Sequence, residues 1–149
     1  MSYADPAWRA EKIGWRFRRS GQDGEATRVF DAFSPEVQTR LTGLAELRRD
    51  EVPAVATYRD ESVWMLVTSD RVIWPEEGSV ASMPLTEVKD ATVLPRDLLA
   101  AGGKGKVEKV TLVTLNDRQV PVRVEAGRPL SGVWNAMKMV ANWNRSPPA

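Results

Sequence analysis

The fold of this chain is most directly inferred from residues 64–74, which read Trp64-Met65-Leu66-Val67-Thr68-Ser69-Asp70-Arg71-Val72-Ile73-Trp74. Two short apolar runs flank Ser69-Asp70, and both of these residues favour turns. Apolar runs that are rich in β-branched and aromatic residues, and that are joined by a short turn, are typical of a β-hairpin. Residues 64–74 therefore predict two neighbouring antiparallel strands.

The same pattern extends outward from this hairpin, from residue 52 to residue 125. Turn-forming residues at 59–61, 76–78 and 116–118 are hairpin-length connections, so successive strands are expected to pair antiparallel. Pro121 cannot donate to a sheet ladder, which predicts an edge position or a bulge in the last strand. A long connection at 95–108 is expected to be mobile. Seven strands are predicted, at 52–58, 62–68, 71–74, 79–84, 87–94, 109–115 and 119–125.

Residues 1–49 show helical spacing instead. Asp5-Pro6 and Ser34-Pro35 each combine an N-cap residue with proline at the first helical position. They predict a helix that ends near residue 20 and a second helix that buries one apolar face on the strands. Between them, Asp23 is expected to cap a short helix. The apolar face of the second helix comprises Val37, Leu41, Leu44 and Leu47, and the short helix carries Val29, Phe30 and Phe33.

The helix before residue 20 is expected to be the more mobile part of this region. Gly14 lies in its middle and lowers helix stability by about 1 kcal/mol relative to alanine. Its high charge density also opposes burial. Trp8, Trp15 and Phe17 would hold it, either on its own domain or on a neighbouring copy.

The last predicted element is an amphipathic helix over residues 131–144, capped by Ser131. Its apolar stripe contains Val133, Trp134, Met137, Val140 and Ala141, so it is expected to close a core. Trp64, Trp74 and Trp134 could pack in this core or line a small-molecule pocket, and the sequence leaves both alternatives open.

Seven short antiparallel strands followed by one amphipathic helix resemble the pleckstrin-homology-like fold. Residues 64–74 look like the second-to-third-strand hairpin of bacterial pleckstrin-homology and GRAM-like domains. The segment Met83-Pro84-Leu85-Thr86-Glu87-Val88-Lys89-Asp90-Ala91-Thr92-Val93 is similar to the one that leads into the family's fifth strand. The resemblance covers about residues 52–144. It implies an α+β, mainly β fold: a seven-stranded antiparallel barrel or pair of orthogonal sheets over residues 50–149, capped by the C-terminal helix and preceded by a helical extension at 1–49.

The resemblance also bears on function. In eukaryotic members of this family, phosphoinositide binding depends on a basic cluster in the first hairpin. Here that loop reads Tyr58-Arg59-Asp60-Glu61-Ser62, and its two acids would repel a phosphorylated head group. Bacterial members are more often viewed as assembly or interaction modules. The resemblance therefore implies a protein partner or self-association.

Composition excludes several kinds of chemistry. The chain of 149 residues has no histidine and no cysteine, and its 21 basic side chains nearly balance 20 acidic ones. The commonest general base, thiol nucleophiles and thiolate metal sites are therefore absent. The adjacent acids Asp50-Glu51, Asp60-Glu61 and Glu76-Glu77 are interpreted as solvated turn charges. We expect no catalytic site, no cofactor and no metal.

The most unusual segment interleaves basic and aromatic residues between positions 8 and 19. Such a pattern is compatible with packing on the domain, with a partner-protein contact, or with an anionic lipid surface or nucleic acid. A membrane surface bound together with the Gly/Lys loop at 102–106 is the main alternative to a protein partner, and nucleic acid is disfavoured. The candidate contact residues are Trp8, Arg9, Lys12, Trp15, Arg16, Arg18, Arg19, Lys104 and Lys106.

The chain contains no apolar run of about 20 residues, the length that a membrane-spanning helix requires. Its first twenty residues hold no apolar core of a signal peptide. The expected location is the cytoplasm.

Overall fold

The computed structural model of the chain describes residues 5–145, except for the side chain of Lys104. This part of the chain folds into eight strands and four α-helices, with three short 3-10 turns between them. In chain order the elements are α1 (Pro6–Ser20), β1 (Thr27–Val29), α2 (Pro35–Ala45), β2 (Pro53–Asp60), β3 (Val63–Thr68), β4 (Arg71–Glu76), β5 (Ser79–Pro84), β6 (Val88–Thr92), α3 (Pro95–Ala101), β7 (Lys109–Thr114), β8 (Gln119–Arg123) and α4 (Arg128–Arg145).

The strands form two antiparallel sheets. One has five strands in the order β1-β2-β3-β4-β5, and the other has three in the order β6-β7-β8. A 3-10 turn at Leu85–Glu87 separates β5 from β6, and within residues 5–145 no strand of one sheet pairs with a strand of the other, so the two sheets do not close into a barrel. The predicted α+β class, the antiparallel pairing and the C-terminal helix are confirmed, while the prediction of seven strands is wrong by one. Pro121 lies in the edge strand β8, as predicted.

The additional strand is β1, which replaces the short helix expected after Asp23. The Glu125 carboxylate accepts hydrogen bonds from the backbone N–H groups of Ala26 at 2.8 Å and Thr27 at 3.0 Å. Asp23 accepts from the N–H of Val29, which lies inside β1, so it caps no helix. With the distant Glu125 carboxylate and the pairing of Thr27 with Thr57 of β2, residues 27–29 form a strand, and a single 3-10 turn at Phe30–Ala32 follows it.

Two hydrophobic cores lie on opposite faces of the five-stranded sheet. The larger core lies between the two sheets and includes side chains from α1 and α4, whereas the smaller core lies under α2. The start of α2 is as predicted, because the Ser34 hydroxyl accepts from the N–H of Val37. On its apolar face Leu41 is fully buried, and Val37, Leu44 and Leu47 are partly buried.

Of the two alternatives for α1, the structure shows packing on its own domain, with Phe17 in the core as expected but Trp15 exposed rather than holding the helix. Its N-cap is Asp5, as predicted. Ile13 and Phe17 are 0 % exposed and Ala10 is buried beside them, all in the larger core. The arginines did not prevent burial, because spacings of three and four residues place these apolar side chains on one face and leave most charges on the other.

Two further expectations are corrected. The connection at 95–108 contains α3, which begins with Pro95 and ends at Gly102 in the left-handed conformation with φ of 85°. A 3-10 turn at Lys104–Lys106 follows it. The last helix begins at Arg128, before the predicted cap, and Ser131 donates its own N–H to the carbonyl of Gly127 inside the first turn.

Leu41→Ala is expected to lower the free energy of unfolding by about 2–5 kcal/mol, because it empties a fully buried site in the smaller core. Leu44→Ala on the same helix should cost clearly less, since Leu44 is only partly buried. Urea unfolding of both variants measures the difference. Equal losses would contradict this docking of α2.

Candidate functional site

Helix α1 is held antiparallel to α4 by close contacts along its length. The Trp8 and Trp143 rings meet at one end with centroids 5.6 Å apart. Phe17 lies so close to Gly132 that a Cβ there would be 2.6 Å from the Phe17 carbonyl oxygen. A larger residue at position 132 would therefore force the helices apart, and this tight packing fixes which face of α1 is exposed.

On the exposed face, Trp15 is the main apolar side chain, 49 % of it accessible to solvent. The Lys12 ammonium lies 5.3 Å and the Arg19 guanidinium 5.4 Å from the centre of its ring. Spacings of three and four residues along a helix produce this arrangement, and cations at such distances are attracted to the ring face. Lys12, Trp15, Arg16 and Arg19 are called the Trp15 ridge below.

Three of the other predicted contact residues hold α1 in place. Arg9 donates from Nε to the carbonyl of Ser69 at 2.6 Å and from its terminal nitrogen to Asp70 at 2.9 Å, which fixes α1 to the β3–β4 turn. Arg18 forms a 2.7 Å ion pair with Asp23, and Trp8 packs against Trp143. Part of the basic charge of α1 is therefore neutralised by ion pairs within the chain.

The Gly/Lys loop does not join this group. Lys106 is exposed and lines a separate groove of about 350 Å³ with Asp97 and residues 107–109. At the end of this loop Glu108 forms a 3.5 Å ion pair with Arg59 at the end of β2. The side chain of Lys104 lies outside the described part of the chain. Of the predicted contact residues, the Trp15 ridge is thus the group that the structure brings together.

Two grooves meet at Trp15. The larger, of about 920 Å³, lies between α1 and strands β1 and β2, with Glu11, Arg18, Asp31 and Arg19 among its lining residues, so its charges are mixed. The second, of about 410 Å³, lies between α1 and α4 and is called the α1–α4 groove. It is lined by Trp15, Arg16, Asn135, Lys138, Met139 and Asn142.

The α1–α4 groove has the chemistry of an anion-binding surface. Its lining offers two cations and two side-chain amides together with apolar surface from Trp15 and Met139, and it includes no carboxylate. Lys138 is also in contact with Asp90 at 3.1 Å. Sequence reasoning missed the α4 contribution, although the spacing of Asn135, Lys138 and Asn142 indicates one polar face of a helix.

Two carboxylates with a lowered pKa, Glu125 and Glu51, lie away from this groove and stabilise the fold. Burial acts to raise the pKa of Glu125, but backbone N–H groups of Thr27, Ala26 and Glu25 outweigh it, and the pKa is lowered. Burial opposes the charged form of Glu51 too, yet hydrogen bonds from Arg71, from the Arg48 N–H and from Thr68 lower its pKa. The interpretation of Glu51 as a solvated turn charge is therefore wrong. Its partners are more than fifteen residues away in the chain, except for Arg48.

Trp64 and Trp74 are buried in the two cores. Trp134 is half-buried and donates its indole N–H to the carbonyl of Ala91 at 2.8 Å. Among the described residues, no group of three or more acidic side chains is placed to hold a metal ion. None of the helices within residues 5–145 combines the length and apolar character needed to cross a membrane.

Comparison of this chain with protein-family models, with curated proteins and with solved structures finds no match. The resemblance to pleckstrin-homology-like domains therefore stays a prediction.

Proposed function

We propose that this protein is a non-catalytic interaction module that binds an acidic segment of a partner protein through the Trp15 ridge. The observation that carries the proposal is Trp15 itself, half-exposed between two cations at the edge of a groove without carboxylates. Tryptophan and arginine are the residues most enriched among those that dominate binding energy. Lys12 and Arg19 already lie against the ring before binding, which reduces the rotamer entropy that binding would cost.

An acidic partner fits better than a symmetric pair of ridges, because two copies facing each other would bring like charges together. A carboxylate in the α1–α4 groove could accept hydrogen bonds from Arg16 and from the Asn142 amide, whereas the Asn135 amide already donates to the Ser131 carbonyl at 2.9 Å. An apolar side chain beside it would cover Trp15 and Met139. Charge and apolar contact would then act on the same segment.

An anionic membrane has less support as the target. Interfacial helices insert a broad apolar face, but that face of α1 is already buried in the core at Ala10, Ile13 and Phe17. Arg9 and Arg18 form ion pairs within the chain. On the exposed face of α1, only Trp15 and a few cations remain to contact a membrane surface.

The proposal includes a pleckstrin-homology-like fold and a cytoplasmic location. The order of β2 to β5 in one sheet, β6 to β8 in a second and a C-terminal helix supports the fold. Strand β1 and helix α1 would then be additions to that fold, and the proposed contact surface, the Trp15 ridge, would lie on the added helix.

Trp15→Ala is expected to weaken partner binding at least about 30-fold, the loss that corresponds to about 2 kcal/mol at a binding hot spot. Its thermal midpoint should stay close to that of the wild type, because the ring is half-exposed. A photo-reactive residue at position 16, placed in the full chain in its native cell, would identify the partner. Titration of that partner against each variant then gives the affinities.

The matched control is Leu99→Ala, which removes an apolar side chain that is 83 % exposed on α3. It should leave binding unchanged. A crosslinked product of twice the mass of the chain would identify a second copy as the partner. Unaltered affinity of Trp15→Ala, or capture only by vesicles of anionic lipid, would refute the proposal.

A further inference from the structure

The two sheets have four edges, and three of them are protected. Strand β1 has only three residues and lies beside α1, and β6 is covered along its length by α4. The edge strand β8 carries Pro121 and the exposed Arg123, two of the features that discourage strand addition. The remaining edge is β5, for which β4 is the one element in extensive contact within residues 5–145.

Strand β5 lacks these protective features over most of its length. None of its six residues is charged, only Met83 is fully buried, and Val80 is 40 % exposed. Pro84, the one residue that could discourage pairing, is the last in the strand. A long uncharged edge of this kind is a template for another strand.

The β4–β5 hairpin fixes which backbone groups β5 offers. Its turn is Glu77-Gly78, with φ of 47° and 78°, the left-handed values of a two-residue hairpin turn. Glu76 and Ser79 therefore form the hydrogen-bonded pair that closes the hairpin, and bonded and non-bonded pairs alternate from there. Given the observed register of Trp74 with Ala81 and Ile73 with Ser82, the N–H and C=O groups of Val80 and Ser82 point away from β4.

The surroundings of this edge determine the charge of what could pair with it. A groove of about 380 Å³ runs from β5 to α2, with Leu44, Trp64, Pro75 and Val80 contributing apolar surface. Glu61, Glu76 and Glu77 also line the groove, which has no basic lining residue. An arginine or lysine on an added strand could lie over Val80 with its aliphatic part and reach these carboxylates with its charged end.

We propose that β5 is a second binding site, which accepts an extended basic segment of a partner protein as an added strand. The outward groups of Val80 and Ser82 pair with the backbone of that segment, and the three glutamates bind its basic side chains. A second copy fits less well, because a symmetric β5–β5 pair brings no basic side chain to these carboxylates. The site lies on the face of the sheet opposite α1 and goes beyond the function proposed for the Trp15 ridge.

The test uses the full chain and a fluorescein-labelled hexapeptide, Lys-Val-Arg-Val-Lys-Val, with fluorescence anisotropy as the readout. Two versions of the peptide carry backbone N-methyl groups, one on the basic residues and one on the valines. In an added strand, the backbone N–H groups of alternate residues point toward β5. Either those of the basic residues or those of the valines therefore pair with β5, but not both. One methylated peptide should lose binding and the other should keep it, and an equal effect of both would overturn the proposal.

Ser82→Pro removes an outward N–H while leaving the ladder to β4 intact, so it should abolish peptide binding in a folded protein. Should that variant not fold, Glu76→Gln with Glu77→Gln tests the same site and should weaken binding about three- to tenfold. Glu11→Gln, an exposed change on α1, is the matched control and should have no effect. Equal binding of the all-glutamate analogue of the peptide, or a concentration-dependent dimer that Ser82→Pro converts to a monomer, would overturn the proposal.

Discussion

Phe17→Ala is expected to lower the free energy of unfolding by about 3–5 kcal/mol, which is a large share of the stability of a domain of this size. Phe17 is 0 % exposed and packs against the backbone of Gly132 in α4. Its removal leaves a cavity between the two helices that rigid backbone on both sides cannot fill. Chemical denaturation followed by tryptophan fluorescence measures the loss.

Deletion of residues 1–20 is expected to prevent folding at 37 °C, because α1 contributes Phe17 and its neighbours to the larger core. It would expose the core surface of α4 and of β2 that α1 now covers, and it would remove Arg9 from the β3–β4 turn. Trp15→Ala on the same helix is the matched control, since this side chain faces solvent. A folded, cooperative deletion variant would show that α1 contributes little to the core.

The buried ion pair between Glu51 and Arg71 should give the second large effect. Arg71 donates to both carboxylate oxygens of Glu51, at 2.9 and 3.0 Å, and to the carbonyls of Ala45 and Glu46 at the end of α2. Glu51→Gln leaves the guanidinium buried without its counter-charge, which is expected to cost about 3–5 kcal/mol. The double variant Glu51→Leu with Arg71→Met should cost less than the sum of its single changes. Urea unfolding of all variants provides the comparison.

This ion pair also predicts the direction of the pH dependence. The pKa of Glu51 is lowered in the folded protein, so its stabilisation is complete above the ordinary glutamate pKa of about 4.3 and is lost as the pH falls through the folded value. Glu51→Gln should therefore show a shallower loss of stability in acid than the wild type. Identical slopes would mean that Asp90 and Glu125, whose pKa values are also lowered, account for the acid sensitivity.

The strands and helix starts could be predicted because their signals are local. Polar and apolar residues alternate over 119–123 within the single strand β8, and Ser34-Pro35 marks a helix start within two residues. The carboxylates of Glu51 and Glu125 could not be assigned in this way, because their partners are distant in the sequence. Thr27 lies 98 residues before Glu125. Without that contact, nothing local distinguishes β1 from a short helix.

The candidate site, too, could be predicted only as far as local sequence signals reach. The basic and aromatic composition of residues 8–19 drew attention to α1, yet composition alone could not separate Trp15, which faces solvent, from Phe17, which does not. The distinction depends on where α4 lies. The exposed edge at β5 could not be predicted, because the sequence of an uncharged strand does not show whether a neighbouring strand covers it.

The antiparallel α1–α4 pair brings the two ends of the folded body together, with the Trp8 and Trp143 rings 5.6 Å apart. A folded body whose first and last helices lie side by side can be inserted as a unit into a surface loop of another protein with little distortion of the host. The chain can also be circularly permuted. A short linker would join the two helices, and new termini at Gly102-Gly103, beyond the last residue of α3, would leave every strand pairing intact. The strand pairings therefore do not depend on chain continuity at Gly102-Gly103, provided that both helices stay in place.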